Sequence, residues 1–191
     1  MFPTTVGVFK YKKELSKEID FIRSISYVKN ISNLKSKNNF ILRNKKLKKL
    51  KKFFEDSINT YGKEVLGFEK KISITQAWSN QNNKGSEHHI HYHPNSLVSG
   101  VFYLKVEGTG CPIVFSLSDR KELVINELNT TYNYRNMALD VKDGDLILFP
   151  SNLQHQVPIN NTDTTRYSIS FNTFIFEKFG NVEALTAVEP T

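Results

Sequence analysis

Four of the chain's five histidines fall within ten residues, in the segment EHHIHYHPNS at positions 87–96. Three of them, His89, His91 and His93, alternate. In a β-strand residues two apart point to the same face, so an H-x-H pair sets two imidazoles side by side, as a metal needs for two neighbouring ligands. The fifth histidine, His155, follows a separate apolar run in GDLILFPSNLQHQV. A third ligand from a distant strand closes a facial set of three and leaves other coordination positions free, the arrangement of a reactive rather than a purely structural metal site. Each piece also has a plain alternative: His155 as a polar residue at a strand end, the cluster as an exposed strand edge.

The elements that would position these histidines are legible in outline. From Lys70 onward the chain breaks into short β-branched and aromatic runs separated by turn residues, at 72–78, 97–106, 112–117, 137–141, 145–149 and 166–176. No helical pattern separates successive runs, so they suit a barrel or double-sheet jelly roll better than a parallel sheet. The first 68 residues read as mainly helical. One helix is expected over 13–28, a loop rich in Asn, Ser and Lys over 30–39, and a longer helix over 44–61 ended by Gly62. These helices would cover one outer face of the β half. No internal repeat or Pro/Gly-rich hinge divides the chain, so a single domain is expected: residues 1–68 helical, 69–180 the jelly-roll core, 181–191 a tail.

Composition narrows the function classes. A chain of 191 residues with 39% hydrophobic and 24% charged side chains can bury a core without staples. One cysteine, Cys111, makes no intramolecular disulfide, so the cytoplasm is the expected compartment. The charged N-terminus lacks the apolar centre of a signal peptide, and no run approaches the roughly 20 apolar residues that cross a bilayer. The formal charge of +7 raises nucleic acid as a partner. Much of the excess, however, lies in RNKKLKKLKK at 43–52, where Leu47, Leu50, Phe53, Phe54 and Ile58 recur at helical spacing. The lysines then read as the wet side of a helix, and nucleic acid is not favoured.

The run HIHYHPNSLVSGVFYL, then GDLILFPSNLQHQV, then RYSISFN resembles the 2-oxoglutarate-Fe(II) oxygenases that share an H-x-H-P-x-S, S-G-x-x-Y-L, F-P-S-x-x-x-H and R-x-S-I-S-F-N series. The resemblance covers residues 72–172 well and the N-terminal part more loosely. It implies an α+β double-stranded β-helix (jelly roll), the use of Fe(II), 2-oxoglutarate and O2, and oxidative decarboxylation of 2-oxoglutarate to succinate coupled to hydroxylation of a substrate. Carried over by residue, His91 and His93 match the proximal metal ligands and His155 the distal one. His93 stands where most of the superfamily has a carboxylate, with His89 and Glu87 as alternative second ligands.

Arg166 and Ser168 begin a strand two residues apart and so share a face. A guanidinium grips a carboxylate at two points and a hydroxyl adds a third bond, which suits the remote carboxylate of 2-oxoglutarate. Tyr103 is placed to add a phenol to the same group, or equally to be a satisfied core tyrosine. Asn80 and Asn172 are further polar candidates with structural roles as alternatives. Ser99-Gly100 reads either as close packing or as a bulge. Two rival readings stand beside the oxygenase. A cupin-type metal enzyme is suggested by residues 144–155, but the expected glutamate after H-x-H is missing and Arg166 would have no role. A non-catalytic jelly-roll binding module would leave the open histidine set unexplained. Residues 118–135 (SDRKELVINELNTTYNYR) are long enough for a substrate lid. Substrate and oligomeric state are not legible.

Overall fold

Two segments, 98–105 and 145–150, are buried at nearly every position, which marks strands covered on both faces. The computed structural model, which describes residues 4–106, 108, 110, 112–116 and 136–190, shows what covers them. The elements run β1 (Gly7–Lys10), α1 (Ser16–Ser24), β2 (Tyr27–Lys29), β3 (Leu34–Ser36), α2 (Lys48–Glu64), β4 (Ser73–Asn82), β5 (His88–His91), β6 (Val98–Lys105), β7 (Ile113–Ser116), β8 (Asn136–Leu139), β9 (Asp145–Pro150), β10 (Gln154–Val157) and β11 (Arg166–Phe174). Seven strands form one sheet in the order β1-β9-β6-β11-β4-β3-β2, and four form a second in the order β5-β10-β7-β8. Every ladder between these strands is antiparallel. From β4 to β11 every consecutive pair of strands except β7 and β8 crosses between the sheets, as in a jelly roll. The architecture is the expected α+β double-stranded β-helix with helices packed on one face.

Alternation along the central strands sorts two cores. Val101, Tyr103, Ile147 and Phe149 point between the sheets and meet Ile113 and Phe115. Phe102, Leu104, Leu146, Leu148, Ile169 and Phe171 point outward and are covered by the helices through Ile22, Leu50, Phe54 and Ile58. In α2 those contacts recur every three or four residues, one stripe of an amphipathic helix. Phe54 stacks on Phe171 with ring centroids 5.1 Å apart and also meets Phe102 at 5.1 Å. The opposite face of α2 carries the lysines, two of them paired one turn on, Lys51 with Glu55 and Lys52 with Asp56. The basic run is the solvated side of a packed helix.

Three expectations need correction. The first helix is shorter than 13–28: it stops at Ser24, because the chain turns extended at Ile25 into β2, whose Tyr27 hydroxyl bonds Ser79 Oγ at 2.8 Å. The expected loop over 30–39 contains β3, which pairs with β4 through Leu34 opposite Gln81 and Lys35 opposite Asn80. The N-terminal part therefore adds three short strands to the large sheet beside its helices. Gly62 does not end α2. It lies inside the helix, where a Cβ would come within 2.7 Å of Ile72 Cδ1, and the chain reverses at Gly67, which has a φ of +69°. Of the two readings of Gly100, close packing holds: it stands in register with Phe171, whose ring would lie 2.1 Å from an added Cβ.

Candidate metal centre

The short strands β5 and β10 pair so that His91 stands opposite His155. His93 lies just past β5, where its backbone N–H donates to Ser151 O at 2.9 Å. The serines of H-P-x-S and F-P-S hold this turn. Ser151 Oγ donates to Ser96 Oγ at 2.8 Å, Ser99 Oγ meets Ser151 Oγ at 2.8 Å, and the Thr173 N–H donates to Ser96 Oγ at 3.0 Å. Asn95, at the turn's tip, takes the left-handed conformation with a φ of 56°, which Asn tolerates better than most residues.

One ring nitrogen from each of His91, His93 and His155 falls within 4.8 Å of the others. The Nδ1 atoms are already committed. That of His91 bonds His89 O at 2.8 Å, that of His155 bonds Leu153 O at 3.1 Å, and that of His93 bonds Asn172 Oδ1 at 2.6 Å. Each acceptor is a carbonyl oxygen, so each Nδ1 carries the proton and each Nε2 keeps its lone pair. The Nε2 atoms of His93 and His155 lie 3.3 Å apart. Two lone pairs at that separation repel, and a shared cation removes the repulsion. Burial keeps the rings neutral: it pushes His93 down to about 4 and His155 down to about 3, and lowers His91 as well. The donor set fits a divalent metal with other positions open.

Asn172 has a more specific place than the sequence suggested. Its carbonyl fixes the tautomer and orientation of His93, while the Trp78 ring stacks on His93 with centroids 5.9 Å apart and 22° between planes. Such outer partners commonly account for ten- to hundredfold in metal affinity. Asn172→Leu is therefore expected to weaken metal binding by about ten- to hundredfold with Asn172→Gln recovering part, as read by competition with a chelating dye. Unchanged affinity in the leucine variant would exclude this role.

Strict alternation of His89, His91 and His93 does not hold. Among the described residues the donor cluster includes neither His89 nor Glu87, and the ring that joins His91 in the cavity is that of His88, stacked at 4.5 Å. Burial and the neighbouring imidazoles push His88 down to about 2. The cause is an irregularity in the β5–β10 ladder between His155 and Val157, which no spacing rule reveals.

The same cavity reaches Arg166, Ser168 and Tyr103. Arg166 is 2% exposed and its guanidinium carbon lies 4.9 Å from the Tyr103 ring centre. Tyr103 is wholly buried and its hydroxyl has no hydrogen-bond partner of acceptable geometry. Burial raises the Tyr103 pKa against the lowering effect of the Arg166 charge, so the phenol stays protonated and able to donate. Asn80 donates to Ser170 Oγ at 2.9 Å and leaves its own buried Oδ1 unpartnered. Buried polar atoms without partners are uncommon in folded proteins, and here they line a cavity between a donor cluster and a cation. Residues 118–135, read as a lid, lie outside the described residues.

The sequence from 76 to 172 matches a family model described as "Putative 2OG-Fe(II) oxygenase". No curated protein matches the chain. Among solved structures, the non-heme alpha ketoglutarate dependent epimerase SnoN from nogalamycin biosynthesis superposes with a TM-score of 0.69 at 11% identity, over 93% of this chain and 82% of that one. HygX from Streptomyces hygroscopicus, solved with nickel, 2-oxoglutarate and hygromycin B bound, gives 0.63 at 13% identity over 89% and 82%. A prolyl-4-hydroxylase from Pseudomonas putida gives 0.58 at 10% identity over 88% and 92%. At such identities the likeness is one of fold.

Proposed function

Because this chain belongs to the 2-oxoglutarate-Fe(II) oxygenase family, we propose that His91, His93 and His155 hold the iron and that Arg166, with Ser168 and Tyr103, holds the remote carboxylate of 2-oxoglutarate. The protein is an Fe(II)- and 2-oxoglutarate-dependent oxygenase, and hydroxylation of an organic substrate is the outcome we assign to it. The observation that carries the residue assignment is a single cavity with three imidazole donors within 4.8 Å of one another at one end and a buried arginine at the other. Bound iron supplies the redox chemistry by which O2 is used, with 2-oxoglutarate consumed to succinate and CO2.

The chain's own residues set the conditions for that chemistry. Three rings with protonated Nδ1 atoms present neutral ligands without first losing a proton. The Arg166 guanidinium offers a carboxylate two parallel bonds, and the hydroxyls of Ser168 and Tyr103 stand beside it as further donors. Val101 and Ile113, also facing the cavity, add apolar surface to an otherwise polar wall, where water finds no hydrogen-bond partner. The test is turnover of labelled 2-oxoglutarate by protein reconstituted with Fe(II) under anaerobic conditions and then given oxygen. Succinate should form in an iron-dependent way and accelerate with the right substrate in a screen of peptides, nucleic acids and small polar molecules. A metal-loaded protein whose melting temperature ignores 2-oxoglutarate and which forms no succinate would defeat the assignment.

A further inference from the structure

Strand β5 carries one residue more than its partner requires. His91 stands opposite His155 and His88 opposite Val157, so three steps along β5 match two along β10, which is a β-bulge. Residues three apart on a regular strand point to opposite faces. Here the bulge turns both rings the same way: His88 and His91 stack at 4.5 Å with 14° between their planes, and both line the cavity. Bulges beside functional sites commonly re-aim a side chain in this manner. His88 is not one of the three clustered donors. Among the described residues its ring makes stacking contacts with His89 and His91 and no hydrogen bond. A polar ring turned into a cavity, with its hydrogen-bonding capacity unused by the fold, is placed to meet a ligand.

Its position along the cavity is fixed by the chain. Strand β4 ends at Asn82 and β5 begins at His88, so the two residues lie at the same end of the barrel. Asn160 pins that end, accepting from the Gly85 N–H at 2.7 Å and donating to Asn82 O at 3.2 Å. Asn82 is the register partner of Arg166. His93, beyond the other end of β5, is tied instead to Asn172. The path from the three histidines to Arg166 therefore runs past His88, with Ser168 and Tyr103 on the opposite, seven-stranded wall.

We propose that His88 is a further 2-oxoglutarate-binding residue, donating a hydrogen bond from the four-stranded sheet to a carboxylate that Arg166 and Ser168 hold from the seven-stranded sheet. This rests on the reading of the cavity as the 2-oxoglutarate site. The test is calorimetric titration of 2-oxoglutarate into Mn(II)-loaded wild type, His88→Phe, His88→Gln and Arg166→Ala. Phenylalanine keeps a flat ring against His91 and removes the donor, whereas glutamine keeps a donor and removes the ring. A hydrogen bond to a charged group corresponds to about ten- to hundredfold in affinity. The phenylalanine variant should lose that much for 2-oxoglutarate with its Mn(II) affinity unchanged, and glutamine should recover part. Wild-type 2-oxoglutarate affinity in His88→Phe, with affinity lost in Arg166→Ala, would overturn this inference and leave the site assignment standing. No 2-oxoglutarate binding by wild type, or none lost in Arg166→Ala, would remove both. Loss of Mn(II) binding in both His88 variants would also overturn it, since His88 would then belong to the metal set.

Discussion

His155→Ala is expected to abolish stoichiometric Fe(II) binding. The alanine removes one of three donors, and the remaining pair, His91 and His93, leaves a metal held by two neutral rings. No replacement is at hand: among the described residues no other His, Cys, Asp or Glu joins the cluster. Iron content after anaerobic loading and desalting checks this, and full occupancy in the variant would remove His155 from the site. His93→Asp should retain metal, since a carboxylate recreates the more common two-histidine, one-carboxylate set. Burial adds a pH signature to the metal-free protein. In the unfolded chain the histidines take up protons as pH falls through about 6.5, whereas in the fold His93 does so only near 4 and His155 near 3. The unfolded state then binds more protons between those limits. This contribution to the stability of the metal-free fold is therefore fully present above pH 6.5 and is lost as pH drops toward 3.

Arg166→Ala is expected to leave iron content unchanged and to weaken 2-oxoglutarate by about 2 to 5 kcal/mol, the range for truncating one partner of a buried charge pair. The side chain is 2% exposed, so the interaction is made away from competing water. Arg166→Lys should recover only part, because an ammonium keeps the charge and loses the planar two-point grip. Titration of the Mn(II)-loaded variants measures both changes. Wild-type affinity in the alanine variant would exclude Arg166 from cosubstrate binding.

The histidine cluster, Arg166 and the apolar strand runs were all visible in the residues, because each depends on local periodicity or on chemistry that few residue types supply. The central strands β6, β9 and β11 were readable for the same reason. What stayed hidden depends on contacts between distant segments. Strand β3 is three residues long and gains its definition from pairing with β4. Gly62 has the look of a helix end, yet Ile72 decides its role. The Asn172 carbonyl meets the His93 ring across 79 residues, and the bulge that turns His88 inward exists only in the β5–β10 ladder. Local rules describe where a strand is possible; they do not describe the register that aims its side chains.

The last strand, β11, is also the middle strand of the larger sheet, inserted between β6 and β4. It supplies Arg166, Ser168 and Asn172 together. During synthesis all three clustered histidines join the chain before any of these residues does, and until β11 follows, β4 and β6 have no central neighbour to pair with. Pairings of such high sequence separation form slowly, so the nascent chain passes through a period with imidazoles exposed, two sheet edges open and no cosubstrate anchor. The support that Asn172 gives His93 and the proposed anchor at Arg166 are thus completed by one event, the docking of the final strand, and a chain interrupted before residue 166 carries the histidine cluster without either.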